Sequence, residues 1–369
     1  MKKIIRIIMI SSVAFILTAC SGKNSAVTET SFSEVNSENV STSSKLTSET
    51  VSEDMEAVRD VFAMDTYMTV KAYGPQGDAA VEAAVEEINR LDALLSTGNE
   101  DSEVARINAN NGGHFSEDGA ILMERSLELY KSTGGVFDVA IYPVMKAWGF
   151  TDGNYRVPDD ETLKSLLQLA DPSLIEYDSS TADVNFEEKG VQIDFGGIAK
   201  GYTSSRIMDI YKEKGVTSGL VNLGGNAQVL GTKPDGSLWR VAVQSPDAED
   251  EYLGVLETKD KAIITSGGYE RYFEKDGVTY HHIIDPSTGY PAENGLISVT
   301  IVSADGTLAD GLSTSLFVMG KDKAVDYWRT YSDEFDMILL TDDEQLYVSE
   351  GIKDSFTSGR DVNIVEKDD

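Results

Sequence analysis

The chain has 369 residues, enough for one large or two ordinary domains, and its 41% hydrophobic content is that of a protein that folds. Its 63 acidic residues against 31 basic ones give a formal charge of -32, which repels a phosphate-rich polymer and argues against DNA or RNA as a partner. The acidity is spread along the chain, as on a solubilising surface, and forms no single acidic tail.

In chain order the first element is an address. Lys2, Lys3 and Arg6 make a basic start, Ile7 to Leu17 is apolar, and "LTAC" (Leu17 to Cys20) closes the segment with small residues. The apolar run is too short and ends too abruptly for a membrane span. It resembles a bacterial lipoprotein signal, which implies removal of residues 1–19 and a lipid on Cys20. Cys20 is the only cysteine, so lipidation would leave no thiol for a disulfide, for redox chemistry or for a cysteine–metal site. From Ser21 to Glu56, 15 of 36 residues are Ser or Thr and the apolar residues are isolated, so no core can form. Residues 20–57 are therefore expected to be a disordered, flexible linker, with the folded domain running from 58 to 369.

Val61 to Tyr73 reads as one strand from its β-branched and aromatic content. Val81, Val85, Ile88, Leu91 and Leu95 recur at helical steps and predict a helix over Asp78 to Leu95. Gly119 to Lys131 and Asp160 to Leu169 read as further helices, while Gly134 to Phe150 has no clear period. After Val191 come short strands broken by glycine: Gly219 to Leu223, Leu238 to Gln244, Leu253 to Thr258 and Ala262 to Ser266. Asp276-Gly277 supplies the turn of a hairpin over Arg271 to Ile284. A strand over Ile297 to Ser303 then leads to a helix over Ala309 to Met319. Strands outnumber what a doubly wound fold needs, so the expected class is α+β, with mixed or antiparallel sheets and packed helices.

The common nucleotide and zinc signatures are missing from the sequence: there is no P-loop, no G-x-G-x-x-G after a strand, no H-E-x-x-H and no C-x-x-C. "DFGGIAKGYT" (Asp194 to Thr203) puts a carboxylate, bare glycine backbone and a lysine at the start of a helix. "ADGLSTSLFVMG" (Ala309 to Gly320) stacks Asp310 and Thr314 on one helix face. Two hard oxygens there suit Mg²⁺; alternatively Asp310 is an N-cap and Thr314 bonds the preceding turn. "HHIIDPSTGYPAENG" (His281 to Gly295) places paired histidines at a strand end, and "NLGGN" and "TSGGYER" follow apolar strands with Gly-Gly.

Together and in this order, "MDTYMTV", "GGVFDVAIYPVMKAWGF", "DFGGIAKGYTSSR", "NLGGN", "TSGGYER", "HHIIDPSTGYP" and "ADGLSTSLFVMG" closely resemble the ApbE family, the FAD:protein FMN transferases, from about residue 60 to 350. The resemblance implies a single T-fold-like domain and Mg²⁺-dependent transfer of FMN from FAD to a Thr or Ser hydroxyl, with AMP leaving. It implies Asp310, Thr314 and a backbone carbonyl near Ala199 as metal ligands, and His282 as the catalytic histidine. Met64 corresponds to a residue packing on the flavin ring, opening the strand motif, and Asp194, Lys200, Asn222, Ser266 and Thr288 fall in FAD-contacting motifs. The acceptor implied is an extracytoplasmic or membrane electron-transfer protein, and the enzyme would be lipid-anchored on the outer face of the cell membrane. FAD hydrolysis to FMN and AMP, or flavin binding by a lipoprotein receptor, are the alternatives. Many relatives carry other residues at Phe195, Gly311 and Asp65, and glycine at 311 is expected to loosen its helix by about 1 kcal/mol relative to alanine.

Overall fold

The structure is a computed structural model that describes residues 55–246 and 251–368. The expected signal, the lipidation at Cys20 and nearly all of the expected linker lie outside the described residues. The first strand begins at Glu56, just before the boundary expected at Val58.

In chain order the elements are β1 (Glu56–Ala63), β2 (Thr66–Tyr73), α1 (Gly77–Leu95), α2 (Glu103–Asn110), β3 (Gly112–His114), α3 (Glu117–Ser132), α4 (Tyr142–Trp148), α5 (Asp160–Leu167), β4 (Ile175–Asp178) and β5 (Asp183–Phe186). There follow α6 (Ala199–Glu213), β6 (Gly219–Leu223), β7 (Asn226–Leu230), β8 (Trp239–Gln244), β9 (Tyr252–Thr258), β10 (Ala262–Gly267), β11 (Tyr272–Lys275) and β12 (Val278–His281). The chain closes with β13 (Leu296–Ser303), α7 (Gly306–Met319), α8 (Lys321–Tyr331), β14 (Phe335–Thr341), β15 (Leu346–Ser349), β16 (Phe356–Thr357) and β17 (Val362–Val365).

A nine-stranded sheet in the order β1-β2-β6-β7-β10-β13-β14-β15-β17 organises the molecule, and only its β15–β17 pair is parallel. The α+β reading therefore holds. Every residue of β6 and β7 is buried, because both sheet faces are covered. On one face Ile264, Val299, Ile301 and Leu339 meet Leu312, Leu316 and Phe317 of α7 and Trp328 of α8. On the other, Ile263, Val302, Ile338 and Leu340 meet Trp239, Val241, Leu253 and Leu256 of the small β16-β9-β8 sheet. Alternate residues of one strand thus enter different cores, as a two-residue period requires. Over β1, β2 and β6 the cover is α1 and α6, where Val81, Ile88, Ile207 and Tyr211 are buried together.

Two departures from the sequence reading shape the site. Val61 to Tyr73 is not one strand: β1 and β2 pair antiparallel around a two-residue turn in which Met64 (φ 48) and Asp65 (φ 58) are both left-handed. That is the turn whose twist matches a hairpin, and aspartate tolerates the left-handed region at some cost, which is why glycine suits position 65. The second concerns α7, which starts at Gly306 behind Asp305, whose carboxylate accepts from the Leu308 N–H at 3.1 Å. Asp310 is therefore in the body of the helix, and the N-cap alternative for it fails.

Helices α6 and α7 cross at glycine. A Cβ on Gly201 would lie 2.1 Å from the Gly306 carbonyl oxygen and 2.6 Å from the Asp310 Cβ, so no other residue permits this approach. Gly311 likewise makes room: a Cβ there would fall 2.4 Å from Leu129 Cδ1 and 3.0 Å from Ile198 Cγ2. The expected loosening by glycine at 311 is thus set against a close packing contact that alanine would disturb. Phe195 is buried beside Phe115, at 6.0 Å between ring centroids, and is a core residue.

Candidate active site

The crossing of α6 and α7 fixes Asp310. It is 5% exposed, its Oδ2 accepts the Gly201 N–H at 2.8 Å and its Oδ1 accepts the Asn226 amide at 3.0 Å. Gly201 is in the first turn of α6, whose own cap position, Ile198, offers no side-chain bond. Asp310 therefore caps α6 from a neighbouring helix and sits where the positive end of that helix points. Burial raises its pKa above the usual carboxylate value, against the pull of Lys200 and of the two hydrogen bonds. A buried carboxylate in that condition favours a cation beside it.

The surrounding donors are all oxygen. Thr314, one turn beyond Asp310 and half-buried, has its Oγ1 3.2 Å from Ser266 Oγ, which is 2.8 Å from Ser313 Oγ. Ala199, the first residue of α6, already accepts the Thr203 hydroxyl at 2.7 Å, so a metal at its carbonyl would share that oxygen. Among the described residues no group of three or more His, Cys, Asp or Glu side chains could hold a metal. The residues fit a hard cation held by one carboxylate and neutral oxygens and completed by substrate phosphate, as Mg²⁺ commonly is.

His282 lies just past the end of β12, where the chain leaves the β11–β12 hairpin. Its backbone N–H donates to the Arg271 carbonyl at 3.0 Å, and its Nδ1 is 3.1 Å from the same oxygen. A carbonyl can only accept, so Nδ1 carries the proton and Nε2 keeps its lone pair. Burial, with Arg271, His281 and Lys200 adding to it, pushes the His282 pKa down to about 3, so the ring is neutral at physiological pH. His281 points to the opposite face and is spoken for: its Nε2 bonds the Ala292 carbonyl at 3.1 Å and its Nδ1 accepts the Ile283 N–H at 3.2 Å. Of this pair, only His282 keeps a ring nitrogen free of a protein partner.

Lys200 links the two halves. It sits in the first turn of α6, and its charge acts on Asp310, Glu270 and His282 alike. Met64 joins them from the β1–β2 turn: its N–H donates to Asp92 at 3.0 Å, and its sulfur lies 3.9 Å from the Thr203 hydroxyl, one turn into α6. Ser266 joins through Thr314. Asp194 holds its own turn, accepting the Gly196 N–H at 2.8 Å, and burial raises its pKa. Asn222 does the same for the β6–β7 turn through Gly225 N–H at 2.8 Å, and the residue of "NLGGN" that reaches Asp310 is Asn226. Thr288 lines a separate cavity of about 370 Å³ with Leu163, Leu167 and Tyr290, whose lining includes none of the other site residues.

Sequence reasoning passed over Asn226, Glu270 and Arg271, although the quoted motifs contained all three. Glu270 reaches solvent but is walled by protein; that desolvation, opposed by Lys200 and Arg271 and helped by Asp310, raises its pKa to about 7. Phe150 was also inside a quoted motif, and its ring meets the His282 imidazole edge-on at 6.4 Å.

Known proteins are similar to this chain over most of its length. A model of the ApbE family matches residues 64–339. An FAD:protein FMN transferase from Treponema pallidum (strain Nichols) is 32% identical over 317 residues, covering 80% of this chain and 87% of that protein. One from Klebsiella pneumoniae (strain 342) is 32% identical over 290 residues, covering 78% and 89%. The crystal structure of the ApbE protein of Thermotoga maritima MSB8 superposes with a TM-score of 0.77 at 33% identity, covering 82% of this chain and 99% of that one. The flavin transferase ApbE from Vibrio cholerae gives 0.73 at 26% identity, with the same coverage.

Proposed function

The chain belongs to the ApbE family, and from that premise we propose that it is an enzyme that moves FMN from FAD to a threonine or serine hydroxyl of an acceptor flavoprotein, releasing AMP. The observation that carries this reading is the convergence on Lys200 of a buried oxygen site at Asp310 and a neutral histidine with a free Nε2. A flavin receptor needs neither.

The acceptor hydroxyl forms a bond to the FMN-side phosphorus while the bond from that phosphorus to the AMP oxygen breaks. The hydroxyl proton passes to His282 Nε2, since a neutral threonine oxygen is a poor nucleophile near pH 7. Lys200 and the N-terminus of α6 face the charge of the pyrophosphate. A magnesium ion held by Asp310 and Thr314, sharing the Ala199 carbonyl, would supply the positive charge that an acidic protein lacks there. Met64 is the contact assigned to the flavin ring, and the half-buried Asp194 belongs to an FAD-contacting motif whose turn it holds. Ser266 supports Thr314, Asn222 supports its turn, and Thr288 is left for a more distant part of FAD.

The lipoprotein-like start supports an enzyme that works outside the cytoplasmic membrane, with Cys20 as its anchor, residues 20–57 as its tether and the domain from about 58 onward as its working part. Its acceptor is then an extracytoplasmic or membrane protein that carries FMN in electron transfer. Incubation with FAD, Mg²⁺ and such an acceptor should give a protein band that fluesces as flavin on a denaturing gel. Free FMN without a fluorescent band would assign FAD hydrolysis, and unchanged FAD would assign a receptor.

A further inference from the structure

The motif "AWGF" (Ala147 to Phe150) is used by none of the chemistry above, yet it ends against His282. Gly149 closes α4 in the left-handed region (φ 79), where a Cβ would fall 2.1 Å from the Asn154 carbonyl oxygen. The Phe150 N–H returns to the Met145 carbonyl at 3.2 Å, which stops the helix and turns the next side chain inward. The loop beyond is braced, with Arg156 N–H on the Trp148 carbonyl at 3.0 Å and the Arg156 guanidinium on the Lys146 and Asn154 carbonyls at 2.5 and 3.0 Å. Phe150 is 4% exposed and packs on Trp148, Tyr155 and Phe273 at 6.4, 5.7 and 5.7 Å between ring centroids. It has no freedom to leave.

The hairpin brings His282 to the same place. In its register Tyr272 faces His281 and Phe273 faces Tyr280, so the next pair outward is Arg271 with His282. Side chains alternate along a strand, which puts His282 on the face of Phe273 and Tyr280 and His281 on the other. The imidazole is thereby enclosed between the Arg271 carbonyl at Nδ1 and the edge-on ring of Phe150.

We propose that Phe150 is the positioning residue of His282, one wall of a clamp whose other wall is the Arg271 carbonyl, and that the clamp leaves Nε2 as the nitrogen presented to the acceptor hydroxyl. The inference deepens the reading of His282 as the base and rests on it. The ring also keeps water from the imidazole, in line with the direction in which burial moves its pKa. The charged and titratable groups that act on His282 come from the hairpin (Arg271, His281) and from α6 (Lys200), and a change at 150 alters none of them.

The test is an NMR titration of the whole protein, set beside the pH profile of kcat. His114, His281 and His282 are the only histidines, so a His282→Gln variant assigns the signal. In the unaltered protein His282 should stay neutral as the Nδ1–H tautomer across the mildly acid range. Phe150→Ala should raise its pKa by at least about one unit and weaken the tautomer preference. The same variant should lower kcat on the order of 10-fold at neutral pH while FAD affinity stays within about twofold. Phe150→Leu, which keeps apolar bulk, should fall between, and it carries the test should Phe150→Ala not fold. Tyr155→Leu removes a ring from the same cluster that does not touch His282, and it should titrate as the unaltered protein does. The proposal is overturned by a His282 titration and tautomer that Phe150→Ala and Phe150→Leu leave unchanged, or that Tyr155→Leu moves equally. If His282 shifts as expected but the acid limb of kcat does not follow it across the series, the clamp stands and the assignment of His282 as base falls.

Discussion

Asp310 and His282 feel the same cation, Lys200, yet the protein holds them by opposite means. Asp310 lies inside a crossing of two helices, with both oxygens engaged by a backbone N–H and a buried amide. His282 is half-buried at the mouth of a two-stranded hairpin and is held by one carbonyl and the edge of one ring. The carboxylate is therefore part of the architecture, capping α6 as well as serving the proposed metal site, whereas the histidine is an attachment to it. Removing the first should disturb structure and chemistry together, and removing the second should disturb chemistry alone.

The largest effect is expected from Asp310→Ala, with flavin transfer falling to background. The change strips the acceptor from the Gly201 N–H and the Asn226 amide, both buried, and should cost about 1–3 kcal/mol of stability. Thermal melting of the variant beside the transfer assay checks both halves, and an inactive variant of unchanged stability would make the cap unimportant. Next is His282→Ala, for which turnover should drop roughly 100-fold with FAD affinity preserved. Its melting temperature should stay close to that of the unaltered protein, and a loss matching that of Asp310→Ala would erase the contrast between the two regions.

Asn226→Ala sharpens the comparison from the side of the metal. With the carboxylate held by one bond instead of two, Mg²⁺ affinity measured by calorimetry in the presence of FAD should weaken about 10-fold or more. An unchanged affinity would mean that Gly201 alone orients Asp310. The smallest effect concerns Glu270, whose pKa of about 7 in the folded protein stands above the ordinary 4.5. A raised carboxylate pKa means that the folded state binds the extra proton, so this part of stability is present below about pH 4.5 and is lost as pH rises through about 7. Gln at 270 cannot ionise. Glu270→Gln should thus melt with the unaltered protein below that window and above it at higher pH, without FAD or Mg²⁺. Parallel melting curves across the range would contradict the shift.

Hydrophobic period made much of the fold legible. The strand over Gly219 to Leu223 has the bounds expected, and the helix expected from Asp78 runs from Gly77 to the same Leu95. The hairpin turn at Asp276-Gly277 was announced by its residue types, and both adopt positive φ. The turn at Met64 and Asp65 was not, since methionine is not a residue that favours the left-handed region; the two short strands around it merged into one. Helices α2, α4 and α8 escaped: α2 and α8 each bury only two apolar residues, Val104 with Ile107 and Ala324 with Trp328, and α4 lies in a stretch without a clear period.

Within the site, sequence order and motif content pointed to Asp310, Thr314, His282 and Lys200, which the fold does bring together. Which asparagine of "NLGGN" serves Asp310 was beyond local reading. Both asparagines flank the same turn, and only the pairing of β7 with its neighbours turns Asn226 toward α7 while Asn222 closes on Gly225. The same holds for Phe150 and for Thr288, whose surroundings are assembled from segments far apart in the chain.

The most direct measurement is a count of products from one reaction: AMP released, FMN bound to the acceptor and FMN free in solution, with peptide mass spectrometry locating the adduct. Flavin transfer predicts one AMP for each FMN found on a threonine or serine of the acceptor, no reaction without Mg²⁺, and both products lost together in Asp310→Ala. AMP appearing with free FMN and an unmodified acceptor would contradict it.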